Sequence, residues 1–315
     1  MSCEHCMQGY VVPGEPRGRM VAGAYFHPAT TISEDIPKTS EVDELDSTPA
    51  PGSTSTTTAQ TKTARSRAIV VLTDIFGLPL QNCKIIADAL SERVGCDVWV
   101  PDLFEGSPPF TPEELIPILP DTGKPDDEMG IVRKVKLVLL GLARAFRLYG
   151  SRPAVVDPRA INFIEKIRRE HGYESIGAVG YCFGGALAIR LGTANVLDSI
   201  VVCHPTHRNL DVIRAINVPV SWACAEGQCS LSWISPANVL TGAPADSSFT
   251  PTIRREAEAL FAAREGAEDF VEYEFRDYPG TVHGFAARPN LAIPGVYEAY
   301  QGALEQTGAW FDRTL

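Results

Sequence analysis

From about residue 68 to the end of the chain, short apolar runs alternate with amphipathic stretches. The runs Ala68–Thr73, Asp97–Val100, Ile176–Tyr181, Ser199–His204, Val218–Cys224 and Phe270–Phe275 are brief and apolar, and the pattern predicts strands. Between them, Leu80–Val94, Ile131–Leu148, Pro158–His171, Gly184–Leu191, Pro251–Glu265 and Tyr297–Phe311 have the length and periodicity of helices. Such alternation is that of β-α units feeding a mostly parallel central sheet flanked by helices, an α/β fold. One further short strand is predicted upstream, over Met20–Phe26.

Two segments break the pattern. Between about Thr31 and Arg67 an acidic stretch (Glu34, Asp35, Glu41, Asp43, Glu44, Asp46) precedes a Pro/Ser/Thr-rich run through Lys62. That composition reads as a flexible loop inserted into one domain spanning residues 1–315. The Pro-rich stretch Ser107–Pro125 has no clear period and is expected to form part of a lid.

Composition narrows the function classes. With 44% apolar and 21% charged residues in 315, the chain can bury one large core. Its 39 acidic and 28 basic side chains give a formal net charge of −11, so the mean field repels phosphate backbones and anionic membranes. Neither nucleic acid nor a membrane is expected as a partner. The N-terminus has no basic segment followed by an apolar core, and no uncharged apolar run reaches spanning length, so a cytoplasmic location is expected. Oligomeric state leaves no signature here.

Of the eight cysteines, Cys83, Cys96, Cys182, Cys203 and Cys224 fall in apolar or strand-like runs, which suits buried thiols better than a disulfide framework. Cys3-x-x-Cys6 has no second pair or histidine cluster at ligand spacing, so it is read as an incidental surface pair and no metal site is expected.

The sharpest chemical signal is Gly180-Tyr181-Cys182-Phe183-Gly184-Gly185, set where a strand ends and a helix begins. A nucleophile elbow needs small residues two before and two after the reactive group, because the turn is too tight for side chains. The helix N-terminus also favours a thiolate. The same six residues would serve equally as a buried cysteine in a glycine-rich turn of a doubly wound fold. Thr281-Val282-His283-Gly284-Phe285 shifts the balance: it follows the last predicted strand, and nucleophile first with histidine last is the chain order of α/β-hydrolases. His204, at the end of another strand, is a candidate to line the pocket; with His207 it makes too few ligands for a metal. Leu72-Thr73-Asp74-Ile75-Phe76-Gly77 lies where this fold supplies an oxyanion-hole N–H, the second coming from Phe183. Asp74 is also a plausible turn or capping residue.

The ordered set Asp74-Ile75-Phe76-Gly77, Pro101-Asp102-Leu103-Phe104, Gly180 to Gly185 and His283-Gly284-Phe285-Ala286 resembles the dienelactone hydrolase family, especially its fungal members. The resemblance runs from Met20 to the end, apart from the insertion. It implies an α/β-hydrolase fold, Cys182 as nucleophile and His283 as base. It also implies oxyanion donors at Phe183 and at Ile75 or Phe76, with Asp74 in place of the family's glutamate that contacts the thiol. Arg288 resembles a position that binds a substrate carboxylate. One departure stands out: Ala225-Glu226-Gly227-Gln228-Cys229 puts Gln228 where the family carries its triad aspartate, with Glu226 as rival. The expected activity is hydrolysis of a small ester or lactone without a cofactor. The alternatives are a silent ligand-binding homologue that has lost its acid, and a redox-responsive thiol protein, for which no resolving cysteine is evident.

Overall fold

In the computed structural model, residues 11–29, 66–115, 117–118, 130–206, 209–226 and 249–315 are described. Cys3, Cys6, residues 31–65 of the expected insertion, 119–125 of the Pro-rich stretch, His207 and Gln228 lie outside them.

β3 (Arg67–Leu72) is β-branched and buried on both faces, as a central parallel strand must be. It pairs in parallel with β4 (Asp97–Val100) on one side and β5 (Ser175–Tyr181) on the other. The parallel run continues through β6 (Ser199–Cys203), β7 (Val220–Ala225) and β8 (Tyr273–Tyr278). An antiparallel hairpin, β1 (Arg19–Val21) and β2 (Ala24–His27), extends the β4 edge, giving the order β1-β2-β4-β3-β5-β6-β7-β8. This is the α/β-hydrolase fold.

The period-two alternation of the strands sorts the core into two layers. Val70, Leu72, Ala178, Val202 and Trp222 face α5 (Pro153–His171) and α6 (Phe183–Leu191), where Val156, Ile164 and Leu187 meet them. Ile69, Val71, Val179, Val201 and Ala223 face the other way, onto Ile86 and Leu90 of α1 (Asn82–Val94) and Trp310 and Phe311 of α9 (Val296–Thr314). Each buried Val, Leu, Ile or Phe among them is worth roughly 1.5–3 kcal/mol. The remaining helices are α2 (Pro112–Leu115), α3 (Ile131–Ala143), α4 (Ala145–Gly150), α7 (Leu210–Arg214) and α8 (Pro251–Ala262).

Several boundaries differ from the sequence pattern. The single strand expected over Met20–Phe26 is a hairpin, because Ala22 and Gly23 both take positive φ (48° and 85°), as a tight two-residue turn requires. The helix expected over Ile131–Leu148 is interrupted at Arg144, whose Nε donates to Glu114 Oε1 at 2.7 Å. Pro153, not Pro158, takes the first helical position of α5; Pro158 sits inside, where it forfeits one backbone hydrogen bond. β8 begins three residues later than expected: it is an edge strand, so Glu274, Arg276 and Asp277 are tolerated where an apolar run was sought. α7 went unforeseen, although Asn209 caps it through its side-chain oxygen.

Candidate active site

β5 ends at Tyr181 and α6 starts at Phe183, so the chain turns on one residue. Cys182 takes φ 56°, ψ −108°, a conformation that side-chain-bearing residues avoid and that functional sites retain. Backbone bonds hold it there: the Cys182 N–H donates to the Cys203 carbonyl (3.1 Å), and the Ala186 and Thr206 N–H groups donate to the Cys182 carbonyl (3.1 and 3.4 Å). The glycines are steric necessities. A Cβ on Gly180 would overlap the Gly184 carbonyl, and one on Gly184 would overlap the Leu72 carbonyl at the end of β3. Cys182 is thus clamped between the C-terminal ends of β3 and β6, and Phe183, as first residue of α6, has no intrahelical partner for its N–H.

His283 lies five residues past β8. Its loop is tied down by Thr281 Oγ1, which donates to the Tyr278 carbonyl (2.6 Å), and by the Gly280 N–H, which donates to Glu226 Oε2 (2.6 Å). Past the histidine, the Ala287 and Arg288 N–H groups donate to the Gly284 carbonyl (3.0 and 2.8 Å). Gly284 has φ 102°, and a Cβ there would press on the Arg288 guanidinium at 2.8 Å. The His283 ring stands 4.9 Å from that of His204, edge to face, and His204 is 6.1 Å from the ring of Tyr181 beside Cys182.

His204 is buried; His283 is half-buried, with its Nε2 shielded from solvent. Desolvation, reinforced by the Arg288 charge, pushes His283 down to about 3. His204 is likewise pushed well below its ordinary value, by desolvation and then by His283 and Arg288. Both rings are therefore neutral at pH 7. Among the described residues, His283 Nε2 and both ring nitrogens of His204 have no hydrogen-bond partner, a costly state in a protein interior.

Asp74 and Arg288 form a buried ion pair, Nε to Oδ2 at 2.7 Å. Burial pushes the Asp74 carboxyl up, against the pull of Arg288 and of the Phe76 N–H that donates to its Oδ1 (3.0 Å). Asp74 is both a turn residue and a member of the cluster. The Phe76 N–H, expected as one alternative oxyanion donor, is engaged by that carboxylate, which leaves Ile75 as the candidate on this loop. Arg288 also lies over the Phe76 ring, 4.9 Å from its centroid.

Among the described residues no carboxylate is hydrogen-bonded to His283. Glu226 is exposed, and its carboxylate holds the turn ahead of His283 instead of the imidazole. Two residues beside the cluster were given no place in it by the sequence, although Cys83 was read as a buried thiol. Asn82, fully buried at the start of α1, donates from Nδ2 to the Ala287 carbonyl (2.9 Å) and accepts from the Val12 N–H (3.1 Å), fastening the histidine loop to α1. Cys83 beside it is a buried thiol pushed up by desolvation and by Asp74. An asparagine inside an apolar helical stretch was the available signal for the first.

Residues 55–231, more than half of the chain, match the sequence profile of the dienelactone hydrolase family. The chain belongs to the dienelactone hydrolase family. Among similar proteins, hydrolase pyvD of Aspergillus violaceofuscus is 29% identical over 79% of this chain and 81% of its own length. Hydrolase tropI of Talaromyces stipitatus is 27% identical over 78% and 81%. The dienelactone hydrolase of Anabaena variabilis superposes with a TM-score of 0.46 at 12% identity, covering 79% of this chain and 87% of that one. This dienelactone hydrolase family member is thus one of a hydrolase family. Among its described residues no helix is long and apolar enough to cross a membrane.

Proposed function

We propose that the protein hydrolyses a small ester or lactone by acyl transfer to Cys182 Sγ, with His283 as base. What carries this reading is the strained elbow at Cys182, since nothing in the packing of a structural cysteine calls for a non-glycine residue at φ 56°. The thiolate at the N-terminus of α6 attacks the substrate carbonyl. The developing oxyanion is held by the N–H groups of Phe183 and Ile75, and the alkoxide leaves with the proton that His283 has taken from the thiol. A water deprotonated by His283 then adds to the thioester carbon; the C–S bond breaks, releasing the carboxylic acid and restoring the thiol. For a lactone both products are one hydroxy acid. Asp74, His204 and Arg288 line the substrate side, with Arg288 as the contact for an anionic substrate group. No step calls for a metal or organic cofactor, and a cytoplasmic location is part of this reading.

Neutral His283, low in basicity with no described acid behind it, favours one rival: a homologue that binds the ligand without turning it over. p-Nitrophenyl acetate separates the two. A stoichiometric burst of nitrophenolate, abolished by iodoacetamide and by Cys182→Ala, supports acyl transfer. Absence of a burst with several short esters and lactones that nonetheless shift the Tm supports the silent homologue.

A further inference from the structure

α3 and α4 present two opposite apolar faces. The inner one is accounted for: Leu137 is buried in a cluster with Phe76, Leu80, Phe110 and Leu115, and Ile75, Leu140 and Leu148 pack against it. The outer one is not. Val132, Val135, Leu139, Leu142, Phe146 and Tyr149 recur at spacings of three and four and form a stripe along the outside, with Ile131 beside its start. Phe146 is 89% exposed, Ile131 74% and Leu139 59%. Isolated exposed apolar residues are ordinary; a contiguous stripe of seven marks an interaction surface.

The charges around the stripe indicate what covers it. Every charged side chain between Ile131 and Gly150 is basic: Arg133, Lys134, Lys136, Arg147 and Arg144, the last paired with Glu114. On a helical projection Lys136 and Arg147 flank the stripe, and the Arg152 guanidinium lies 3.6 Å over the Tyr149 ring. An apolar face edged by cations and carrying aromatic side chains fits the boundary between acyl chains and anionic headgroups, where lysine and arginine reach the phosphates while their stems stay apolar. A second copy of the chain fits worse, because antiparallel pairing about the middle of the stripe sets Lys136 near Arg147 of the other copy.

We propose that α3–α4 docks this protein on an anionic lipid surface. The net charge of −11 predicts the opposite for the chain as a whole. Counter-ions screen distant charge within about 8–10 Å, so at contact the basic helix pair sets the sign. Docking brings the lipid to the outer side of the same helices whose inner side covers Ile75 and Phe76, next to the reacting centre, and membrane-dissolved esters or lactones then meet the site without crossing bulk water. The docking itself does not depend on the acyl-transfer chemistry.

Co-sedimentation with phosphatidylcholine vesicles, with and without phosphatidylserine, tests this at low and high salt. The full chain should sediment with the phosphatidylserine vesicles only, and less at high salt. Phe146→Ser should weaken this about tenfold, by removing one buried aromatic from the apolar phase. Lys136→Glu should weaken it about tenfold as well, by reversing one charge at the surface. Both substitutions should leave the Tm and turnover of a water-soluble ester unchanged, which separates failure of docking from failure of the proposed chemistry. Equal sedimentation with both vesicle types, or with neither, overturns the proposal. So does a concentration-dependent dimer, seen by light scattering, that Phe146→Ser abolishes.

Discussion

His283→Gln should flatten the acid limb of the stability curve. In the folded protein His283 is held at about 3 by burial, whereas in the unfolded chain it has its ordinary value of 6.5. Between those values the unfolded state binds a proton that the folded state refuses. Stability contributed by the neutral ring is therefore fully present above pH 6.5 and is lost as the pH falls, at about 1.4 kcal/mol per pH unit. From about pH 7.5 to pH 5 the loss assigned to this one residue is about 2 kcal/mol. That figure depends little on the folded value, because at pH 5 any value below about 4 leaves the folded ring neutral. Glutamine keeps polarity and approximate size without titrating, so the constant cost of replacement drops out and the difference in slope is the readout. His204, pushed down chiefly by its own desolvation, contributes to both proteins alike. Urea unfolding of wild type and His283→Gln at matched pH values measures the difference. Parallel curves, with the gap at pH 5 equal to that at pH 7.5, would refute the claim that the ring is shielded and neutral, and with it the enclosed character of the site.

Three further outcomes are expected. Cys182→Ala should lower ester turnover by about a thousandfold or more, while Cys203→Ala and Cys224→Ala keep most of it, since only Cys182 occupies the elbow; steady-state kinetics on one ester decides. Arg288→Ala should cost about 3 kcal/mol in urea unfolding by leaving the buried Asp74 without its partner, and Asp74→Asn in the same protein should recover part of the loss; additive effects of the two would show that the ion pair is not coupled. Gln228→Asp should raise kcat/KM by restoring the family's acid, whereas Glu226→Gln, which keeps an acceptor for the Gly280 N–H, should change it little. Loss of activity in Glu226→Gln with no effect of Gln228→Asp would make Glu226 the acid.

The chain order of the six parallel strands and the longer helices between them, the apolar character of the central strands and the elbow at Cys182 were legible in the sequence, because each depends on local rules. Period two marks strands, a longer period marks helices, and a turn as tight as the one at Cys182 excludes side chains at Gly180 and Gly184, whichever protein contains it. The same locality explains what was misread. β8 carries charge because it lies at the edge, and an edge is a property of the assembled sheet. The hairpin at Ala22 and Gly23 needed positive φ at an alanine, a choice the β4 edge enforces. Nor could the sequence tell that Asp74 and Arg288, 214 positions apart, neutralise each other, or that the Phe76 N–H is engaged by Asp74. An asparagine in an apolar helical stretch marked Asn82 without naming Ala287 of the histidine loop as its partner, and the sequence did not show that α3–α4 has an apolar face on both sides. These follow from which surfaces meet at the C-terminal ends of the parallel strands. Residue type sets what a side chain can do; burial and the charges brought beside it, which only the tertiary structure decides, set whether His283 is neutral, whether Asp74 is paired and which apolar stripe is left uncovered.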